Sequence, residues 1–229
     1  MRYKLLSLLS TIRIVGLLVA AFAMWGFVQI ADEVLDKETQ AIDTAILLAL
    51  KRSHTPLLDQ LMLGVTFLGE PTFLLVICLC LGVLLLFVKR QTEATTLAIA
   101  AAGAVGLNYL LKVLFSRDRP ALWDRVIDVG QYSFPSGHAM VSMVIYGLIG
   151  FLLANRFSRW RWLIVTLTIA LITAIGLSRL YLGVHWPTDV VAGYSAGLVW
   201  LLTCILSLEV WRFYRSAAGE NEDQSLTPN

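Results

Sequence analysis

The sequence has little charge and few soft metal ligands. Of its 229 residues only 15% are charged, whereas 58% are hydrophobic; a soluble domain has about a quarter of its residues charged. The net charge of +2 says little about partners, but no basic patch suited to a nucleic acid is visible, so we expect no nucleic acid partner. The three cysteines, Cys78, Cys80 and Cys204, all lie in apolar segments. No other soft ligand is near them in the sequence, so we predict small buried hydrophobic side chains and no metal site.

The apolar residues are grouped in long segments. A hydrocarbon core about 30 Å thick needs roughly 17–25 apolar residues per helix. The sequence therefore predicts an all-α fold, a polytopic membrane helical bundle with six transmembrane helices. The predicted spans are 12–31, 71–88, 95–115, 137–155, 162–178 and 188–209.

The remaining segments complete a single predicted domain, 1–215. The first span follows a basic start and no cleavage site follows it, so we expect it to be retained. The stretch 41–68 is apolar but interrupted by charges, which predicts short interfacial helices between spans 1 and 2. Residues 216–229 are polar, and we predict a disordered tail. Gly193 and Gly197 have a G-x-x-x-G spacing, which predicts close helix packing on the last span.

The distribution of basic residues predicts the orientation. Cytoplasmic loops of membrane proteins are enriched in lysine and arginine. With six spans, both termini and the loops 89–94 and 156–161 share one side, which we predict to be cytoplasmic. The basic residues of that side are Arg2, Lys4, Arg13, Lys89, Arg90, Arg156, Arg159, Arg161, Arg212 and Arg215. The loops 116–136 and 179–187 then face outward.

Nearly all polar functionality of the outer side is concentrated in three segments at the outer ends of spans. They are "KVLFSRDRP" at 112–120, "PSGH" at 135–138 and "SRLYLGVHWPTD" at 178–189. Lys112, Arg119 and Arg179 supply one ammonium and two guanidinium groups. Each alone is an ordinary solvated helix end, but together they suit a compact oxyanion such as phosphate.

The "PSGH" segment has the pattern of a helix start. Ser136 is placed to cap the helix, and the first turn offers backbone N–H groups and positive partial charge to an anion. Gly137 allows close approach of the backbone. His138 then lies in the first turn, next to whatever binds there.

His185 and Asp189 are four residues apart at the start of the last span. This spacing places both on one face of a helical turn. Asp189 then accepts a hydrogen bond from one imidazole nitrogen and leaves the other free as a nucleophile. The third histidine, His54, lies in the 51–56 turn, where we predict a solvated loop histidine.

The combined pattern K-x6-R-P, P-S-G-H and S-R-x5-H-x3-D resembles the three-part signature of the type 2 phosphatidic acid phosphatase superfamily. This group of lipid phosphatases shares its site with vanadium haloperoxidases. Every signature position is matched, over spans three to six. The matched residues are Lys112, Arg119, Pro120, Pro135, Ser136, Gly137, His138, Ser178, Arg179, His185 and Asp189.

The resemblance implies a role for each matched position. His185 attacks phosphorus and forms a phosphohistidine, and Asp189 orients it. His138 protonates the leaving oxygen and then activates water. The phosphate oxygens are bound by side chains and by the backbone of the helix start, at Lys112, Arg119, Ser136, Gly137 and Arg179.

We therefore expect a membrane phosphatase that needs no metal or other cofactor, acting on lipid phosphates or isoprenoid diphosphates at the extracytoplasmic face of a bacterial plasma membrane. The candidate substrates are undecaprenyl diphosphate, phosphatidylglycerol phosphate and phosphatidic acid. One alternative is a lipid phosphotransferase with the same site. Another is a protein that binds or transports lipid phosphates without turnover. The signature does not select the head group, and the sequence does not predict the oligomeric state.

Overall fold

The computed structural model describes the backbone of residues 2–123 and 130–225, and the side chains of residues 13–123 and 130–214. Within these ranges the chain forms eight α-helices. They are α1 Arg2–Leu35, α2 Gln40–Lys51, α3 Pro56–Phe67, α4 Pro71–Phe87, α5 Gln91–Phe115, α6 Gly137–Arg156, α7 Arg161–Tyr181 and α8 Pro187–Ser225.

Five of these helices are long and apolar enough to cross a membrane, namely α1 and α5 to α8. The remaining predicted span, 71–88, corresponds to α4, which has 17 residues. It is long enough to cross a membrane only together with α3, to which it is joined by a bend of 46°. A 17-residue helix is at the short end of what spans a bilayer. The predicted helical membrane bundle is confirmed.

The stretch 41–68 forms the two short helices α2 and α3. Thr55 caps α3 by accepting a hydrogen bond from the Leu58 N–H at 3.3 Å, and Pro56 occupies the first helical position. Their location at the membrane interface stays a prediction. So does the disorder of the tail: α8 continues past the predicted boundary at 215, and residues 226–229 lie outside the described residues.

The helix α6 lies in the middle of the bundle and packs against α5, α7 and α8. Glycines allow α8 to approach it closely. A Cβ atom at Gly193 would lie 2.7 Å from the Ser136 carbonyl oxygen, and one at Gly197 would lie 2.8 Å from that of Met140. The packing predicted from the G-x-x-x-G spacing is therefore confirmed, and it holds the N-terminal turns of α6 and α8 side by side.

Two predicted environments were wrong. Cys204 is buried and Cys78 is half-buried, but Cys80 is exposed on α4, because α4 packs only one face against the bundle. His54 is not a solvated loop residue. Its Nε2 lies 2.9 Å from the Tyr181 carbonyl oxygen and its ring stacks on Tyr181 at 4.1 Å between centroids, which attaches the α2–α3 turn to the end of α7.

Candidate active site

The C-terminal end of α5, the start of α6 and the turn between α7 and α8 meet around one cavity of about 1310 Å³. Six of the eight residues singled out from the sequence line it, and Ser136 and Asp189 are fully buried. Segments far apart in the chain thus converge as the signature implies. The six lining residues are Lys112, Arg119, Gly137, His138, Arg179 and His185.

His185 is held by Asp189 as its spacing predicted. The His185 Nδ1 lies 3.3 Å from Asp189 Oδ2, and both side chains are buried. The same carboxylate oxygen accepts the Trp186 N–H at 2.8 Å. With Nδ1 donating to Asp189, the Nε2 atom of His185 carries the lone pair and faces the cavity.

Arg119 lies beside the second ring nitrogen of His185. Its Nη1 lies 3.2 Å from His185 Nε2 and donates to the Val184 carbonyl oxygen at 2.7 Å. Burial, and then the positive charges of Arg119, Arg179 and Lys112, hold the pKa of His185 well below its ordinary value. The imidazole is therefore neutral at pH 7, as a nucleophile must be.

Hydrogen bonds across the loop after α5 position the Lys112 and Arg119 side chains at the cavity. Asp118 and Tyr132 form an isolated antiparallel bridge. Lys112 Nζ donates to the Tyr132 carbonyl oxygen at 2.7 Å, and Arg119 Nε donates to that of Gly130 at 2.5 Å. The ammonium and guanidinium groups are thereby positioned from both arms of the loop, whose central residues 124–129 lie outside the described part.

Arg179 contributes the third cation from the last turn of α7. The side chain is buried, and its Nη1 donates to Thr66 Oγ1 on α3 at 2.7 Å. Among the described residues its Nε–H has no hydrogen-bond acceptor. A buried, unpaired N–H in a guanidinium beside a cavity is suited to bind an anion there.

Ser136 caps α6, as its sequence predicted. Its hydroxyl accepts the Ala139 N–H at 3.5 Å, and its own N–H donates to the Asp189 carbonyl oxygen at 2.9 Å. The backbone N–H of Ser136 is therefore already bonded, so an anion at this helix start would meet the following amides, of Gly137 and His138. A Cβ atom at position 137 would lie 2.9 Å from Asn108 Oδ1, which explains the glycine.

His138 lies beside a carboxylate, Glu70, and this contact was not predicted from the sequence. Its Nε2 lies 3.1 Å from Glu70 Oε2, and Glu70 is half exposed at the bend between α3 and α4. An imidazole beside both a carboxylate and an anion site is suited to transfer protons. No short motif marks Glu70; only the bend of the chain brings it here.

Sequence reasoning also missed Arg117 and Asp43. Arg117 lies two positions before Arg119, but its Nη1 points away from the cavity, to Asp189 Oδ1 at 2.7 Å. Its Nη2 donates to Asp43 Oδ2 on α2 at 2.9 Å. The available signal was weak: Asp43 is a single acid in an otherwise apolar stretch, "AIDTAILLAL".

The cavity continues from the charged end as an apolar groove between α4 and α5. On α4 the lining extends from Pro71 to Leu86, about 22 Å of helix at about 1.5 Å per residue. The charged end suits an oxyanion and the groove suits a hydrocarbon chain. Apolar residues of the groove include Leu75, Leu79, Leu86, Ala98, Ala101 and Val105.

The described part of the chain has no group of three or more His, Cys, Asp or Glu side chains arranged to hold a metal ion. The charge at the cavity is instead supplied by Lys112, Arg119 and Arg179. Fixed cations of this kind stabilise negative charge that develops on an oxyanion.

Comparisons with known proteins agree with this geometry. Residues 93–213 match the sequence model of the PAP2 superfamily. The chain is 30% identical over 176 residues to phosphatidylglycerophosphatase B of Bacillus subtilis, covering 76% of this chain and 86% of that protein. It is 32% identical over 124 residues to an undecaprenyl-diphosphatase of Sulfolobus acidocaldarius, covering 51% of this chain and 55% of that protein.

A solved structure has a similar fold. The crystal structure of a transmembrane PAP2-type phosphatidylglycerolphosphate phosphatase from Bacillus subtilis superimposes with a TM-score of 0.77 at 25% identity. The alignment covers 91% of this chain and 97% of that one. The similarity therefore includes the helices that precede the matched segment 93–213.

Proposed function

The chain belongs to the PAP2 superfamily and is a membrane lipid phosphatase. We propose that it hydrolyses lipid phosphates or isoprenoid diphosphates through a phosphohistidine intermediate, without a metal ion. The observation that carries the proposal is the continuity of the cavity. One end has three cations around His185, and the other is an apolar groove between α4 and α5. A phosphate attached to a long hydrocarbon chain fits both ends at once.

In the first step, the lone pair on His185 Nε2 attacks phosphorus. The bond from phosphorus to the lipid oxygen breaks, and His138, as the imidazolium, gives a proton to that oxygen and becomes neutral. Lys112, Arg119 and Arg179 neutralise the phosphoryl oxygens as charge spreads over them. Asp189 stabilises the positive charge that develops on the His185 ring through the 3.3 Å contact at Nδ1.

In the second step, His138 takes a proton from water, and the water oxygen attacks phosphorus as the P–N bond breaks. Inorganic phosphate leaves, and His185 returns to the neutral form with its Nδ1 proton facing Asp189. Glu70, 3.1 Å from His138 Nε2, is placed to stabilise the imidazolium that this step produces.

The substrates that we propose to test first are phosphatidylglycerol phosphate, undecaprenyl diphosphate and phosphatidic acid. The relatives named above act on the first two classes by name. We expect purified protein in detergent to release inorganic phosphate from at least one of the three with excess EDTA present. Activity survives chelation because the charges at the phosphoryl group are side chains. Vanadate should inhibit by occupying the same place.

Each of the other possible outcomes points to a different mechanism or function. Phosphate release that depends on added Mg²⁺ contradicts the metal-independent mechanism. Loss of substrate phosphate only when an acceptor lipid is present indicates a phosphotransferase. Tight binding of all three lipids without any turnover indicates a binding or transport protein.

We also propose that the active site faces outward in a bacterial plasma membrane and that both termini are cytoplasmic. The basic loop 156–161 supports this orientation, since it lies at the end of α7 opposite Arg179 and the charged end of the cavity. In that orientation the enzyme acts on lipid phosphates of the outer leaflet, which fits the recycling of lipid carriers or the turnover of envelope lipids.

Two exposed serines near opposite ends of α7 test the orientation. Ser53 lies in the turn that His54 attaches to Tyr181, and Ser158 lies just before α7. In a variant without the three native cysteines, we expect Ser53→Cys to react with a membrane-impermeant thiol reagent in intact cells. Ser158→Cys should react only after permeabilisation, because about 30 Å of helix separates the two ends.

The cysteine-free parent measures the background, and retained phosphatase activity shows that each variant is folded. Labelling of Ser158→Cys from outside, with Ser53→Cys protected, would invert the orientation. The chemistry proposed for His185 does not depend on this result.

A further inference from the structure

A second layer of charged residues lies behind Asp189, on the side away from the cavity. Arg117 is between two buried carboxylates, with Nη1 2.7 Å from Asp189 Oδ1 and Nη2 2.9 Å from Asp43 Oδ2. Only 11% of its side chain is exposed, against 1% for Asp43 and 0% for Asp189. A buried guanidinium with two ionic partners has one stable geometry, which it imposes on both of them.

Asp43 also holds the first turn of α8, which carries Asp189. Its Oδ1 accepts the Thr188 N–H at 3.1 Å and its Oδ2 accepts the Thr188 hydroxyl at 2.6 Å. Arg117 Nη1 donates to the same hydroxyl oxygen at 2.7 Å. A carboxylate that accepts from N–H groups of the first helical turn stabilises that end of the helix. Asp43 thus positions the Asp189 backbone, while Arg117 positions its side chain.

The two oxygens of Asp189 are therefore used differently. Arg117 holds Oδ1, so that Oδ2 is left for the His185 Nδ1–H and the Trp186 N–H. If the guanidinium were absent, Oδ1 would lose its ionic partner, so the carboxylate would be held less firmly and its charge would be unpaired in a buried site. Small displacements of this kind are costly, since a reacting group misplaced by about 1 Å loses roughly a hundredfold in rate.

We propose that Arg117 and Asp43 are positioning residues for the nucleophile: Arg117 fixes the Asp189 carboxylate that orients His185, and Asp43 fixes both Arg117 and the start of α8. This inference rests on the proposed role of His185. It assigns a catalytic purpose to α2, a helix outside the segment 93–213 that matches the family.

A double-mutant cycle with Asp189→Asn tests the pair. We expect Arg117→Met to lower kcat roughly a hundredfold with little change in KM, because it disturbs the nucleophile and not the phosphate site. Asp43→Asn should lower kcat by about tenfold, the loss of one hydrogen bond to a charged group. In the Asp189→Asn background both losses should shrink to less than about threefold, because the group through which they act is already impaired. Arg117→Lys keeps the charge and should recover part of the activity.

The pH profile provides a readout that a purely structural role would not move. The charged or titratable groups around the cavity that face His185 are Asp189, Lys112, Arg119, Arg179 and His138. Arg117→Met leaves the Asp189 charge uncompensated, which favours the imidazolium and raises the pKa of His185. As the pH falls, His185 is then protonated at a higher pH than in the wild type, so the acid limb of the kcat/KM profile shifts to higher pH. Arg117→Lys should leave the acid limb in place.

Asp59→Asn is the matched control. Asp59 lies on the neighbouring α3 and bonds the Tyr181 hydroxyl at 2.6 Å, so any loss that it causes should be the same in both backgrounds. Wild-type kcat in Arg117→Met, or equal losses with and without Asp189→Asn, would overturn the proposal. If Arg117→Met does not yield folded protein, the cycle of Asp43→Asn with Asp189→Asn decides in the same way. Full activity of His185→Ala would refute the nucleophile instead, so the two proposals fail separately.

Discussion

Replacing His185 with alanine is expected to reduce turnover by at least about a thousandfold, because it removes the nitrogen that we propose attacks phosphorus. The His185 Nε2 faces the cavity, and its ring is fixed at Nδ1 by Asp189. Wild-type protein quenched in alkali during turnover should carry protein-bound phosphate that is stable to base and labile to acid. His185→Ala should carry none.

His138→Ala is the informative companion to His185→Ala. On an aryl phosphate, whose leaving group needs no proton, the first step should survive while hydrolysis of the intermediate slows. Phosphoenzyme should therefore accumulate in His138→Ala and be absent from His185→Ala. A folded His185→Ala variant with wild-type turnover would end the phosphohistidine mechanism.

Replacing Arg179 with methionine is expected to lower kcat/KM by about 10²–10³-fold, the usual loss when one preorganised donor to a developing oxyanion is removed. The side chain is buried, and the Nε–H has no acceptor among the described residues, so its interaction with the substrate is not diluted by water. Inhibition by vanadate should weaken in parallel with kcat/KM, since both report binding of the transition state.

Arg212→Met is the matched control for Arg179→Met. Arg212 lies on α8 and pairs with Glu93 and Glu209 at 2.8 Å, at the end of the bundle away from the cations of the cavity. The same substitution there should change stability but leave kcat/KM and vanadate inhibition near wild type. Wild-type kcat/KM in a folded Arg179→Met variant would remove Arg179 from the phosphate site.

Arg117, Glu70 and Thr66 show why some residues around the cavity could not be predicted from the sequence. Arg117 and Arg119 are two residues apart and chemically identical, yet Arg117 contacts Asp189 Oδ1 and Arg119 contacts His185 Nε2. Glu70 and Thr66 reach the cavity only because α3 and α4 bend by 46°. Opposite charges can be counted in a sequence, but which of them meet depends on helix rotation and loop path.

The sequence by itself determined the class of the fold and pointed to the groups that we propose to react. Apolar segments of membrane length have no stable alternative to helices in a bilayer, since every backbone polar group must be bonded internally. The spacing of His185 and Asp189 and the cap at Ser136 are local, and local geometry follows from the residues themselves. Only the tertiary structure decided what lies behind and beside them: Asp43, 146 positions before Asp189, and the groove between α4 and α5. Those contacts depend on how whole helices pack against one another. Every residue of an interface contributes to that packing, so no short sequence motif predicts it.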